Sequence, residues 1–203
     1  MKKPGYILLG VLATVVTMGV AALIYVANTG LTARSSPGGL ETYIARAVRS
    51  LAVQRDVRDL RNPIPPSDAI LKNGREHFAD HCAVCHANDG SGDTEMGRGL
   101  WPKPPDMRLD QTQRLSDGEL FYIIEQGARF TGMPGWSTGT PEGEEASWHL
   151  VTFIRHLPQI TREEVEAMKD GNPQPPAETR QRMEEERFLQ GDEPAGAPGP
   201  HAH

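Results

Sequence analysis

Both cysteines of the chain fall in one five-residue run, Cys82-Ala83-Val84-Cys85-His86. Thiols three positions apart lie on one helical turn. Each can add across a vinyl group of a haem, and the histidine that follows can then ligate the iron from one side. A redox-active C-x-x-C would want a βαβ context, and the residues before Cys82 read as a helix instead. A zinc site would need two more ligands at finger-like spacing; His77 and His81 are near, but no second cysteine pair exists. The run therefore reads as the attachment site of one haem c, with Cys82 and Cys85 as thioether positions and His86 as an iron ligand.

The apolar stretch from Tyr6 to Ala27 carries no charge and follows Lys2 and Lys3. As a helix, its length of roughly 33 Å matches a bilayer core of about 30 Å. It exceeds the usual core of a signal peptide, and cleavage after Ala27 would put bulky Tyr25 where a small residue is wanted. Residues 1–27 thus read as a cytoplasmic stub and a single transmembrane anchor, although cleavage after Ala22 stays conceivable. Covalent haem is attached outside the bacterial inner membrane, so the body is expected in the periplasm or its equivalent. The net charge of −6 argues against a nucleic-acid partner.

Residues 28–66 read as a linker. Within it, Leu40, Tyr43, Ile44, Ala47, Val48 and Leu51 recur at helical spacing, with Arg46 and Arg49 on another face. Such a helix either packs on the body or lies on a membrane surface. The stiff run Asn62-Pro63-Ile64-Pro65-Pro66 marks a domain border.

The body, residues 67–158, reads as all-α, with no alternating apolar run that would signal a strand. A first helix is expected from Ala69 to about Ala83, capped by Ser67 or Asp68. A second starts at Ser116, where Glu119 completes a capping box, and stops near Gly127. A third runs from about Glu144 to Leu157, before Pro158. The long loops between them suit a fold whose centre is filled by a prosthetic group. Residues 159–203 read as a charged, solvated extension, helical near Glu163–Met168 and Ala177–Leu189, then a Gly/Pro-rich tail. The tail ends His201-Ala202-His203, a weak candidate for chelating a metal.

The sixth iron position decides between electron transfer and ligand chemistry. Met133, in Gly132-Met133-Pro134-Gly135-Trp136, lies 47 residues after His86 in a loop that proline stiffens and glycines turn. A thioether there favours ferrous iron. Met107 is its main rival, but Pro104, Pro105 and Asp106 around it suit a rigid acceptor for the His86 Nδ1 proton. Met96 is too near His86 to reach the opposite face. Met168 is a further candidate, and His149 and His156 read as packing or surface residues.

In order, Gly74-x-x-x-Phe78, the C-x-x-C-H run, Trp101-Pro102-Lys103-Pro104-Pro105, Gly132-Met133-Pro134 and a last helix with aromatics resemble the class I c-type cytochromes over residues 67–158. That resemblance implies an all-α shell around one haem, and a crossing of first and last helices with Gly74 against Phe153 or Trp148. It implies His86 and Met133 as axial ligands and one-electron transfer rather than catalysis on a small-molecule substrate. The expected function is a membrane-tethered carrier. Its donor would be a dehydrogenase or quinol-oxidising complex, and its acceptor an oxidase or reductase of a respiratory chain. The alternatives are a fixed haem subunit of a larger membrane oxidoreductase and, in another class, a haem-based gas sensor.

Overall fold

The computed structural model describes residues 3–173 apart from 31, 34–36 and 54, together with 181, 183, 185–187 and 189. The Gly/Pro-rich tail and His201-Ala202-His203 lie outside the described residues. So does most of the expected helix Ala177–Leu189, whose described positions are helical.

Among the described residues there are helices and no strands. Helix α1, Lys3–Thr29, contains the apolar span Gly5–Asn28, long and apolar enough to cross a membrane. Helix α2 is Gly39–Ala52, and α3 is the short Arg55–Arg58. The body comprises α4 (Asp68–His77), a π turn (Phe78–Cys82), α5 (Ala83–His86), α6 (Glu95–Gly99), α7 (Asp110–Gln113), α8 (Asp117–Gln126) and α9 (Pro141–His156). Helix α10, Arg162–Ala167, follows.

The expected first helix is present but changes pitch. It begins at Ser67, whose side chain accepts a hydrogen bond from Ile70 N at 3.3 Å, and widens into the π turn before the cysteines. Helix α8 has the expected capping box of Ser116 and Glu119. Helix α9 starts three residues earlier than its apolar spacing suggested. Thr140 caps it and Pro141 opens it, because proline at the first turn gives up an N–H that has no helical partner anyway.

Helices α4 and α9 cross at Gly74. A Cβ there would collide with the His149 carbonyl and lie 3.0 Å from Phe153 Cβ. The close approach lets Phe78 pack on Phe153, with ring centroids 5.1 Å apart, and both side chains are fully buried. Helix α8 packs on α9 through the stacked rings of Phe121 and Trp148, 4.2 Å apart. Arg155 joins α9 to the α7–α8 turn. It donates to Asp117 Oδ1 at 2.8 Å and to the carbonyls of Gln113 and Leu115.

Packing crosses both expected borders of the body. Before residue 67, Asn62 donates to Trp148 O and Thr152 Oγ1, both at 3.0 Å. Val53 is buried, and the Val57 carbonyl sits where a Cβ on Gly118 would be. After residue 158, Thr161 and Glu164 form a capping box that opens α10. Glu164 also accepts from His156 at 3.0 Å and pairs with Arg75 at 3.4 Å. Met168 is buried, and Asn172 donates to Ala79 O at 2.9 Å. Residues 160–172 therefore belong to the packed body, not to a solvated appendage.

Two predictions follow from these contacts. Gly74→Ala should gain about 1 kcal/mol of helix propensity but lose more by forcing α4 off α9. A net destabilisation of about 1–3 kcal/mol is expected in urea unfolding of the haem-loaded protein. An unchanged midpoint would show that the crossing can relax.

The second concerns pH. Burial raises the Glu164 carboxyl, but hydrogen bonds from Thr161 and His156 and the charges of His156 and Arg75 outweigh it and hold it below its ordinary value. A depressed carboxylate stabilises above its unfolded value of about 4.3 and loses that contribution as pH falls through the folded value. Glu164→Gln should thus unfold more easily than the wild type at pH 7. The gap should narrow below about pH 4.

Candidate functional site

The π turn delivers the C-x-x-C-H run to the inner face of the body. Phe78 and Ala79 are buried within it, and the centroid of Phe78 lies 6.4 Å from that of His86. Such wide turns within helices are frequent at functional sites. Cys82 and Cys85 are unpaired and partly buried. Burial pushes the Cys82 thiol up to about 12, with smaller contributions from Cys85 and Asp80, and burial also raises Cys85. Both sulfurs are therefore protonated at neutral pH, the opposite of the depressed thiolate that redox and nucleophilic cysteines need.

His86 is 7% exposed, and burial pulls its imidazole down to about 4. It is neutral at pH 7, with a lone pair free for a metal. Its Nδ1 is enclosed without a hydrogen-bond partner. The Pro104–Pro105 segment, expected to accept that proton, makes no hydrogen bond to it. The Pro104 carbonyl faces Gly92, 2.6 Å from where a Cβ would stand, and Gly92 can occupy the place because it has none at φ +74.

The chain after His86 folds back over the motif. Gly92 N donates to His86 O at 2.8 Å, and Thr94 Oγ1 donates to Val84 O at 2.8 Å. The same hydroxyl accepts from Gly97 N and caps α6, a short helix inside what the composition read as an irregular loop. Arg108 clamps the next stretch, donating to Asp89 and to both oxygens of Asp106. Its hydrogen bonds hold the Asp106 carboxyl below the ordinary range.

Met133 is half-buried in the loop between α8 and α9. Its N–H donates to Thr131 Oγ1 and its carbonyl accepts from Ala128 N, both at 3.0 Å. The loop is laid against the end of α8 by Trp136 N to Ile124 O and Ser137 N to Glu125 O. Gly127, at φ +69, leaves no room for a Cβ beside Pro134 and Gly135. Two contacts fix the other side of this loop, one of them beside the motif. Trp136 stands edge-on to His81, the residue before Cys82, at 5.4 Å. Gly132 faces Leu100, which follows α6.

The other methionines go elsewhere. Met107 is a core side chain whose N–H donates to Gly90 O at 2.8 Å, tying its backbone four residues past His86. Met96 is exposed, and Met168 packs in the core. His149 is buried and His156 is held by Glu164, as expected of packing residues. Sequence reasoning missed Phe130, which is 92% exposed beside Met133 at a left-handed φ of 62°. No glycine or asparagine announces that turn, which Thr131 Oγ1 closes by donating to Ala128 O at 2.6 Å.

The family described as "Cytochrome C oxidase, cbb3-type, subunit III" matches residues 69–154. Those residues are a class I c-type cytochrome domain. Covalently bound haem c is what such a domain implies, and the two protonated, unpaired thiols followed by a neutral buried imidazole fit it. Domains of this type carry electrons rather than transform substrates. Among solved structures, the chain is similar to a chain of the Kuenenia stuttgartiensis reducing HAO-like protein complex, at 20% identity and a TM-score of 0.42. The match covers 52% of this chain and 50% of that one, so the chain spans about half of that chain's length.

The loop closure over the motif of the cytochrome domain is testable through Thr94. Thr94→Ala removes the cap of α6 and the bond to Val84 O together. A loss of about 1–2 kcal/mol in denaturant unfolding is expected. Thr94→Ser, which keeps the hydroxyl, should recover most of it.

Proposed function

We propose that the protein is a membrane-tethered monohaem cytochrome carrying single electrons between respiratory or dehydrogenase complexes on the outer face of the membrane. Cys82 and Cys85 would hold the haem through thioethers, and His86 and Met133 would ligate its iron. The bound haem supplies a one-electron ferric/ferrous couple. The chain holds a neutral imidazole on one side, encloses it from water, and fixes the methionine loop to the end of α8.

The observation that carries this reading is His86, buried, neutral and directly behind two unpaired thiols. Met133 is favoured over Met107 because its loop packs on His81, the residue before Cys82, through Trp136. Met107 is tied to Gly90, on the stretch that leaves His86, and its side chain is spent in the core. The apolar span of α1 supports the tether. Tethering confines the search for donor and acceptor to the membrane plane and raises their effective concentration.

A second reading, a fixed haem subunit of a membrane oxidoreductase, is favoured by the family description, which names an oxidase subunit. Purification from native membranes separates the two. A carrier elutes alone in mild detergent, and a subunit elutes with stoichiometric partners.

The ligand assignment is tested by spectroscopy. Met133→Ala should abolish the weak far-red charge-transfer band of ferric methionine-ligated haem and lower the reduction potential. Met107→Ala should leave the band in place. The reverse pattern would overturn the assignment.

A further inference from the structure

Helix α2 leaves its apolar face bare. Leu40 is 74% exposed, Tyr43 72%, Ile44 51%, Val48 59% and Leu51 85%. Ala47 is exposed as well. These six recur at helical spacing, so they form one stripe about three turns long. A stripe of this size in water calls for a covering.

Three observations point to lipid as that covering. The first is position. Helix α1 ends at Thr29 and α2 begins at Gly39. The nine intervening residues reach at most about 30 Å, so α2 starts close to the headgroups wherever α1 crosses. The second is charge. Residues 28–66 carry six arginines against three acids in a chain of net charge −6. That stretch suits an anionic lipid surface, and the acidic remainder does not. The third is chemistry. The stripe combines leucine, isoleucine and valine with a tyrosine, the mix that settles at the boundary of headgroup and acyl chain.

We propose that α2 lies on the lipid surface with this stripe in the bilayer interface. The proposal rests on the reading of α1 as a membrane anchor. Its consequence is a strap rather than a leash. Val53, directly after α2, is buried; α3 packs at the start of α8; and Asn62 is bonded to α9. A helix held in the interface therefore sets the height and tilt of the cytochrome domain, so that one side of it faces membrane complexes.

The test uses the full-length, haem-loaded protein in vesicles of phosphatidylethanolamine and phosphatidylglycerol. With Cys82 and Cys85 taken up by the haem, an added cysteine is the free thiol to be labelled. Nitroxide labels go at Leu40→Cys, Ile44→Cys, Val48→Cys and Leu51→Cys on the stripe, at Thr42→Cys and Ala45→Cys off it, and at Val15→Cys within α1. Collision with oxygen, which partitions into lipid, is compared with collision with a water-soluble nickel chelate. Stripe labels should favour oxygen several-fold over Thr42 and Ala45, with helical periodicity.

Chelate access equal at all α2 positions would overturn the proposal, placing α2 in water. Shielding of the stripe from both reagents would also overturn it, because a protein partner or a second copy then covers the face. Val15 separates the two levels of inference. If Val15 sits in lipid while the stripe does not, the strap alone fails. If Val15 meets the chelate, the anchor reading fails and takes the strap with it.

Discussion

The approach of α4 to α9 at Gly74 is the constraint on which the rest of the body depends. A side chain there would occupy the position of the His149 carbonyl, so no other residue lets these helices come so near. Once they touch, Phe78 meets Phe153 in the centre of the core, and the π turn that begins at Phe78 carries Cys82, Cys85 and His86 to the inner face. Other elements then build on α9. Helix α8 stacks Phe121 on Trp148, Arg155 grips the α7–α8 turn, and Asn62 holds the incoming chain. Interiors are close-packed, so a disturbance at this crossing reaches the haem motif through one aromatic contact.

Burial also sets the chemistry of the site. The imidazole of His86 and the thiol of Cys82 are moved towards their neutral forms by the same cause, loss of water around the charged species. A neutral histidine is a ready ligand, and protonated thiols are poor partners for thiolate redox chemistry. The enclosed Nδ1 without an acceptor carries a desolvation cost. Tertiary packing thus turns a short sequence run into a site suited to one kind of occupant.

Much of this was legible in the residues. The C-x-x-C-H spacing, the Ser116–Glu119 capping box and the glycine needed at the helix crossing are local signals, and each has a local physical cause. Thr140-Pro141 and Thr161-x-x-Glu164 carried comparable signals for the starts of α9 and α10, although apolar spacing alone pointed past the first. The borders of the body were not legible. A proline-rich run looked like a break, yet Asn62 finds its partners 86 and 90 residues away. A charged segment looked solvated, yet Asn172 reaches Ala79 across 93 residues.

The amino-acid sequence by itself determined the cofactor class, the helical character and the apolar N-terminal span, because these depend on spacing and composition within a few turns. The tertiary structure decided which flanking segments join the body. It also decided the protonation of His86 and Cys82, and that α2 keeps its apolar face uncovered. Those outcomes depend on contacts between residues distant in the chain and on the exclusion of water, and neither is written in any local pattern.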